Sequence, residues 1–219
     1  MSRATAGFRI RASRPGDVTG LYRVCLATGD AGADARGLYD DPELLGHLYV
    51  GPYAALEPEH ALVLEAAGGP VGEAGVAGYA VGALDTRGFH ALVRARWLPP
   101  LRRRYPDPRG DPARWTPDQR LMHLLHHPGE AFPAALPEAL RPYPSHLHID
   151  LLPSAQGRGL GRAVMQRLLE TLRRDGSDGV HLGVAAANVR AIGFYEHLGF
   201  VPLPEDDEAG AVWMGLALR

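Results

Sequence analysis

A glycine-rich loop between a strand and a helix is the feature that most restricts how this 219-residue chain can fold. The segment from His146 to Leu152 alternates polar and apolar residues, which is typical of a strand. Apolar residues recur at helical spacing from Leu160 to Arg174. The loop between the two segments carries Gly157, Gly159 and Gly161. The sequence therefore predicts a strand that turns through this loop into the first turn of a helix.

The chemistry of this loop favours a negatively charged ligand. Glycines allow the backbone to turn tightly and to come close to a bound group. The first amides of a helix lack partners within the helix, and together with the helix dipole they attract anions. Arg158 and Arg162 add positive charge nearby. Taken alone, the loop is equally typical of a plain strand-to-helix turn with solvated arginines.

Two other phosphate-binding motifs fit this loop less well. A dinucleotide-binding fold places Gly-x-Gly-x-x-Gly near the start of its βα units, with an acidic residue about 20 positions later. Here the spacing is Gly157-x-Gly159-x-Gly161, and the loop lies late in the chain. A Walker loop requires Gly-Lys-Ser or Gly-Lys-Thr, which this loop lacks.

Two motifs in the last third of the chain resemble one enzyme family. Gln156-x-x-Gly159-x-Gly161 matches the Gln/Arg-x-x-Gly-x-Gly/Ala signature of GNAT acetyltransferases, and the segment 188–200 is similar to the second motif of that family. The resemblance covers residues 145–200 well. A narrower resemblance, carried by residues 78–85, the Trp97-Leu98-Pro99 stretch and the segment that follows, is to the acetyltransferase-like C-terminal domain of O-GlcNAc hydrolases and its bacterial relatives.

The resemblance implies a mixed α/β (α+β) fold, the GNAT fold, with a mostly antiparallel central sheet flanked by helices in one domain over residues 1–219. It further implies that the strands beginning at His146 and Gly179 splay apart and that the cofactor lies in the opening. The residue pattern itself places a helix from about Ser13 to Thr28, with Ser13 as its cap before Pro15, and another helix from Pro42 to Tyr49. A further helix is predicted at Asn188–Leu198. The predicted strands, besides the one that begins at His146, are Phe8–Arg11, Ala61–Ala66, Val76–Ala83, Gly179–Val184 and Val212–Leu218.

Residues 86–145 differ in composition from the rest of the chain, being rich in proline, arginine and histidine. A structureless loop of this length is unusual in a compact domain. Helical pieces are predicted at Phe89–Ala95, Leu98–Arg104 and Pro117–His127, so we interpret the segment as a helical insertion before the fourth main strand. The sequence leaves open whether this insertion shapes an acceptor pocket or covers the site.

By resemblance the cosubstrate is acetyl-CoA, and no metal is expected. Backbone groups near the end of the His146 strand are implied to hold the pantetheine arm, and the loop to hold the pyrophosphate. Asn188 is implied either to bond near the pantetheine or to cap its own helix. The predicted cofactor-binding residues are Leu151, Leu152, Pro153, Gln156, Gly157, Arg158, Gly159, Leu160, Gly161, Arg162, Asn188 and Tyr195.

Acetyl transfer to an amine requires a base, an oxyanion donor and an acid for the leaving thiolate. By family analogy the acid is Tyr195, whose alternative role is that of a core tyrosine, and the oxyanion donor is a backbone amide near Leu152. Period-2 alternation places His148 and Asp150 on one face of their strand. A catalytic base explains such a polar pair, and so does a buried hydrogen-bonded pair. Of the two residues, Asp150 is the preferred base because it lies closer to the cofactor end. His148 either orients Asp150 or acts as the base itself, since an imidazole titrates near neutral pH.

Several other features have simpler interpretations. The lone Cys25 falls in an amphipathic segment and is predicted to be a buried structural thiol. Four aspartates between Asp30 and Asp41 are either an acceptor wall for a cationic amine or solvated loop carboxylates. His123, His126 and His127 have helical spacing but no supporting Cys or Glu-x-x-His pattern, so metal binding is not expected. The basic residues 102–104 are interpreted as a solvated helix face.

Charge and hydropathy set limits on partners and location. The formal net charge is -2, which gives no overall attraction for nucleic acid or an anionic membrane. The N-terminal residues lack a signal-peptide core, and no apolar run approaches the roughly 18 residues of a membrane span, so a cytoplasmic location is expected. The apolar C-terminal strand is a candidate pairing edge for a homodimer.

Three functions compete on this basis. The first is an acetyl-CoA-dependent N-acetyltransferase that works by direct attack of an amine in a ternary complex. The second is a non-catalytic module that binds acyl-CoA or a peptide, with the acceptor cleft closed by the insertion. The third is an O-acyl or longer-chain acyltransferase. The sequence does not distinguish small-molecule amines from protein lysines as acceptors.

Overall fold

The structure is a computed structural model that describes residues 7–66, 75–204 and 210–219. The sequence also predicts a turn at Gly68-Gly69-Pro70 between the strands Ala61–Ala66 and Val76–Ala83, and this turn lies outside the described residues. Within the described ranges, seven strands form one sheet in the order β1-β2-β3-β4-β5-β7-β6. The strands are β1 (Phe8–Ala12), β2 (Ala61–Ala66), β3 (Val76–Ala83), β4 (Ser145–Leu151), β5 (Gly179–Ala185), β6 (Val201–Pro202) and β7 (Ala211–Ala217).

Helices cover both faces of this sheet. A π-helical turn, Val93–Trp97, joins α4 to α5, and short 3₁₀ turns occur at Pro15–Asp17, Pro58–His60, Pro112–Arg114, Glu138–Leu140 and Pro153–Ala155. The α-helices are α1 (Val18–Thr28), α2 (Leu44–Tyr49), α3 (Gly51–Leu56), α4 (Thr86–Leu92), α5 (Leu98–Arg104), α6 (Pro117–His126), α7 (Leu160–Arg174) and α8 (Val189–His197). No helix in the described part of the chain is long and apolar enough to cross a membrane.

The central strands separate where the site lies. β3 and β4 pair antiparallel from Ala83–His146 to Gly78–Leu151. β4 and β5 run parallel, but they pair only at Ser145–Val180 and His146–His181. Beyond His146 the two strands diverge, which confirms the splay expected from the family resemblance.

The two faces of the sheet bury different sets of side chains. On one face the apolar stripe of α7, including Val164 and Leu168, packs with Leu62, Ala80 and Leu147. The opposite face carries side chains that pack with α1, α3 and the insertion, and its buried residues include Tyr53, Tyr79, Phe89, Val93, Leu98 and Leu125. β3 is buried along its whole length, because helices cover it on both sides.

The insertion is helical and packed, as predicted. Asp85 caps α4 by accepting hydrogen bonds from the amides of Arg87 and Gly88 at 3.1 Å. Thr116 and Gln119 form a capping box at the start of α6. These caps satisfy helix ends inside a proline-rich segment, and they explain why it forms several short helices.

Two local predictions need correction, and two elements were not predicted. Ser13 does not cap the first helix, because α1 begins only at Val18 and a 3₁₀ turn precedes α1. The Asp17 carboxylate stabilises this turn by accepting a hydrogen bond from the Arg14 amide at 2.7 Å. Helix α3 and strand β6 were not predicted. β7 is also not an open edge at Gly215 and Met214, which pair with both β5 and β6, so these positions cannot pair with a partner strand.

Candidate active site

The opening between β4 and β5 holds a cavity of about 810 Å³. Residues from α1, β4, the glycine loop, α7, β5 and α8 line it. The structure thus brings together most of the residues singled out from the sequence. Those lining the cavity are His148, Asp150, Leu151, Gln156, Gly157, Gly159, Gly161, Arg162, Asn188 and Tyr195.

The glycine loop presents its backbone to this cavity. Gly157 and Gly159 have φ angles of 69° and 73°, in the left-handed region that favours glycine. The first helical bond of α7 runs from the Ala163 amide to the Gly159 carbonyl at 3.1 Å. The amides of the residues between Gly159 and Ala163 therefore lie in the unsatisfied first turn. Arg162 lines the cavity beside them, so this end of the site suits a polyanion.

Gly161 keeps the first turn of α7 close to its neighbours. A Cβ atom at this position would lie 3.2 Å from Leu151 Cδ1 and 3.4 Å from the Phe194 ring. Both neighbours belong to the cavity lining. The third glycine of the motif therefore serves packing between the helix and the two sides of the opening.

Several predicted cofactor residues have other tasks. The side-chain amide of Gln156 donates to the Leu151 carbonyl at 2.7 Å and ties the loop to the end of β4. The Arg158 guanidinium lies 5.6 Å from the centre of the Phe8 ring, which stands on β1. The Leu160 side chain is buried in the core, and Pro153 is exposed. Of these four residues, only Gln156 lines the cavity.

Leu152 corrects one expectation directly. Its amide donates to the Ala77 carbonyl at 2.9 Å, and its carbonyl accepts from the Ala155 amide at 2.9 Å. Neither group is available to a cofactor or an oxyanion. Because backbone groups alternate sides along an antiparallel strand, the amides of Ile149 and Leu151 face away from β3 and into the opening.

Tyr195 and Asn188 lie on the β5 side of the opening. Tyr195 is 8% exposed, lines the cavity and packs its ring against Phe200. Burial raises the pKa of its phenol well above the ordinary value, so the hydroxyl stays protonated. The Asn188 side chain accepts from the Ala191 amide at 3.1 Å and caps α8, which settles one of its two predicted roles.

Asp150 is joined to the core through a tyrosine. The Tyr79 hydroxyl, on the neighbouring strand, donates a hydrogen bond to the Asp150 carboxylate. Burial raises the pKa of Asp150 to about 6, although the hydrogen bonds from Tyr79 and Thr28 oppose the shift. The carboxylate is therefore mostly ionised at neutral pH and is more basic than an ordinary aspartate.

Cys25 lies behind this pair and also contributes to the cavity wall. The side chain is 2% exposed, and burial raises the pKa of its thiol to about 12. A thiol with this pKa remains protonated and is a poor nucleophile. The predicted burial of Cys25 is confirmed.

His148 does not pair with Asp150, so the hydrogen-bonded pair considered from the sequence is absent from this described strand. Its ring centre lies 5.5 Å from that of Tyr53 and 6.4 Å from that of Tyr49. Burial lowers the pKa of His148 to about 4, and the nearby His181 and His90 add to this effect. The imidazole is neutral at pH 7.

The aspartate-rich loop borders the cavity through Ala31, Gly32 and Tyr39, but its aspartates do not line it. The Asp40 and Asp41 amides donate to the Asp118 carboxylate at 3.2 and 2.9 Å. Asp34 pairs with Arg36 at 2.5 Å. The loop therefore forms part of the cavity wall, but not through the carboxylates that the acceptor-wall prediction required.

Two histidines at the end of α6, His123 and His127, form a surface cluster with Asp107. Asp107 bridges His123 at 3.2 Å and His127 at 2.9 Å, and the two rings stack with centres 4.0 Å apart. His126 instead bonds to the Tyr105 carbonyl. The sequence did not indicate Asp107, because it lies in a loop outside α6. None of these groups lines the cavity.

The basic segment of α5 is bound to its surroundings. Arg102 donates to the Leu125 carbonyl at 2.7 Å, and Arg104 pairs with Glu43 at 2.5 Å. Arg102 holds α5 against α6, and Arg104 holds it against the residue before α2. The interpretation as a purely solvated face therefore needs correction.

The chain belongs to the acetyltransferase (GNAT) family, whose sequence profile matches residues 35–200. It is 27% identical over 192 residues to the protein O-GlcNAcase of Rattus norvegicus; the match covers 88% of this chain but 20% of that protein. The chain thus spans about a fifth of the length of this curated relative. The predicted likeness to the acetyltransferase-like region of O-GlcNAc hydrolases is confirmed.

Solved structures give the same fold. The crystal structure of SsHAT is 38% identical, with a TM-score of 0.86, and the match covers 97% of this chain and 99% of that one. The structure of yncA from Salmonella typhimurium, solved with its cofactor acetyl-CoA, is 18% identical, with a TM-score of 0.53 and coverage of 97% and 95%. The second likeness concerns the fold alone.

Proposed function

We propose that this protein is an N-acetyltransferase that uses acetyl-CoA and transfers the acetyl group to an amine by direct attack. The observation that carries the proposal is the cavity of about 810 Å³ between the splayed strands. It is bounded at one end by the unsatisfied amides of the glycine loop and at the other by an ionisable carboxylate. This is the arrangement that a long polyanionic thioester and its acceptor require.

The chain offers distinct groups to the two ends of acetyl-CoA. The first-turn amides of α7 and Arg162 would bind the pyrophosphate. The amides of Ile149 and Leu151 face the opening, so they would bind the pantetheine arm and the thioester carbonyl. Two further residues of the predicted set shape the site. Gln156 ties the glycine loop to the end of β4, and Asn188 caps the start of α8.

The transfer requires proton removal from the amine and proton donation to the leaving thiolate. An alkylammonium, with a pKa near 10, must first lose a proton, which Asp150 accepts directly or through water. The free amine then attacks the carbonyl carbon; the new N–C bond forms and the C–S bond breaks, while a strand amide stabilises the oxyanion. As the intermediate collapses, the nitrogen releases its second proton and Tyr195 donates its proton to the departing thiolate. The proton from the nitrogen returns to Tyr195 through water, and Asp150 releases the first proton to solvent. His148 is neutral and borders the acceptor side, so we assign it to holding the amine.

Calorimetric titration with acetyl-CoA and with CoA tests the cofactor site first. Micromolar dissociation constants are expected for both. Release of free CoA thiol is then followed with a panel of primary amines and a lysine peptide. Failure to bind either cofactor would overturn the proposal. Binding without turnover for any amine would support the non-catalytic module, and turnover only with alcohols or longer acyl-CoA would support the third alternative.

A further inference from the structure

A second cavity, of about 500 Å³, lies beneath the insertion on the face of the sheet that carries His148. We call it the histidine cavity, after its lining residues His90, His146, His148 and His181. Its floor is formed by β4 and β5 around the point where the two strands part. Its other walls come from α4 and from residues 130–137, which follow α6.

The two cavities are neighbours across a thin boundary. Tyr49, His148 and Gly183 line both of them. Gly183 lacks a side chain that could close the boundary, and the other two residues are aromatic rings at its edge. The inner end of a molecule in the histidine cavity therefore contacts three residues that also line the cofactor cavity.

Hydrogen bonds fix the protonation of the floor histidine. The Thr86 hydroxyl donates to the Pro144 carbonyl at 2.7 Å, so it accepts from His146 Nδ1 at 2.9 Å. The Tyr53 hydroxyl then donates to His146 Nε2 at 2.6 Å. Burial lowers the pKa of His146 well below the ordinary value, and the ring is neutral.

The other histidines add no positive charge. His90 Nδ1 donates to the Pro133 carbonyl at 3.1 Å, and His181 Nδ1 donates to the Tyr143 carbonyl at 2.7 Å. Burial lowers the pKa of both rings. The single charged residue of the described lining is the exposed Glu130.

The remaining wall is aromatic and aliphatic. Tyr49, Tyr53, Phe132 and Trp213 contribute rings, and most of the rest are leucines and prolines from the insertion and from the elements around it. Aromatic faces and neutral imidazoles attract a cation, whereas no lysine or arginine belongs to this described lining. A volume of about 300–1,000 Å³ is typical of small-molecule sites.

From these observations we propose that the histidine cavity binds the acceptor, and that the acceptor is a small primary amine with an aromatic or similarly flat apolar body. The inference rests on the proposed function, whose acceptor it specifies. The ammonium group enters first and reaches the boundary at His148, while the apolar body stays between the insertion and Trp213. The insertion therefore shapes an acceptor pocket and does not simply cover the site.

Adjacent alanines in the insertion provide a matched test. Ala135 lines the histidine cavity and Ala134 does not, and both are exposed, so tryptophan at either position disturbs the core little. Ala135→Trp is expected to raise the KM for 2-phenylethylamine at least tenfold and to leave acetyl-CoA affinity unchanged. Ala134→Trp is expected to leave both values within twofold of the wild type.

A binding measurement separates this inference from the proposed function. Calorimetry with 2-phenylethylamine and CoA-saturated protein reports on the cavity even if no turnover occurs. Binding that Ala135→Trp weakens at least tenfold supports the cavity, and absence of turnover would then count against the catalytic proposal alone. Absence of amine binding, equal effects of the two variants, or preferential turnover of a lysine peptide would overturn the inference.

Discussion

The cofactor cavity and the histidine cavity share a boundary but are built in different ways. Much of the cofactor cavity comes from two continuous stretches of chain, residues 148–162 and 183–195, and its anion site consists of backbone amides. The histidine cavity draws side chains from α2, α3, the insertion with its helix α4, β4, β5 and β7. A site made from one loop can be recognised in a sequence, whereas a site made from distant side chains depends on the fold.

The two cavities also differ in electrostatic character. The start of α7 and Arg162 make one end of the cofactor cavity attractive to a polyanion. The histidine cavity is lined by neutral imidazoles, aromatic rings and one exposed carboxylate, which favour a cation. Two substrates of opposite charge would thus be sorted to the two sides of one boundary.

The largest effect is expected from Gly159→Glu, which should impair binding in the cofactor cavity and leave the histidine cavity unchanged. Gly159 has a φ of 73°, and a glutamate there combines backbone strain with a negative charge at the helix start. Acetyl-CoA affinity should fall at least 100-fold in calorimetry. Gly16→Glu is the control, because Gly16 has open space around it and lies outside the cavity lining. Wild-type affinity in a folded Gly159→Glu protein would refute the loop assignment.

Asp150→Asn is expected to lower kcat by about 100-fold, a usual cost of losing a general base. The ionised carboxylate is the active form and its pKa is about 6, so wild-type activity should fall as the pH drops below this value. The variant should lose this acid limb. His148→Gln is the comparison, and it should keep the limb, since the pKa of His148 is about 4. An unchanged pH profile in Asp150→Asn would return Asp150 to a structural role.

Tyr195→Phe is expected to lower kcat by about tenfold or more and to leave acetyl-CoA affinity within twofold, because it removes only the proton donor. Steady-state kinetics and calorimetry measure the two quantities separately. Tyr105→Phe serves as control, since the Tyr105 hydroxyl bonds to Asp41 and lies outside the cavity lining. Unchanged kcat in Tyr195→Phe would remove Tyr195 from the mechanism.

Cys25→Ala should have the smallest effect, with kcat within twofold of the wild type. The thiol is buried, and burial raises its pKa to about 12, so it is not expected to form an acyl-enzyme. Mass spectrometry of the wild-type protein after incubation with acetyl-CoA alone should show no acetyl adduct on Cys25. Loss of activity in a folded variant, together with such an adduct, would favour a two-step mechanism.

Much of the fold was predictable because its signals are local. β2, β3 and α7 occur where the pattern of residues placed them, and the splay followed from the family resemblance. The predicted backbone role of Leu152 was wrong for a non-local reason. Which side of β4 an amide faces depends on its register with β3, and the sequence of β4 does not contain that register.

The polar side chains of the site were harder to predict for a similar reason. The partner of Asp150 is Tyr79, which is distant in sequence but lies opposite on the next strand. The aspartates near residue 40 looked like an acceptor wall until the fold placed Asp118 against their amides. The charge state of such a group follows from its neighbours and its burial, and both are tertiary properties.

Sequence alone was sufficient to predict the glycine loop, the helix that follows it and the position of Tyr195 in the second motif, because short-range backbone geometry and spacing specify them. The folded chain was needed to show that the insertion borders a cavity, that four histidines meet there as neutral rings, and that His148 lines both cavities. Side chains from separate segments become neighbours through strand register and core packing, so their joint chemistry exists only once the chain has folded.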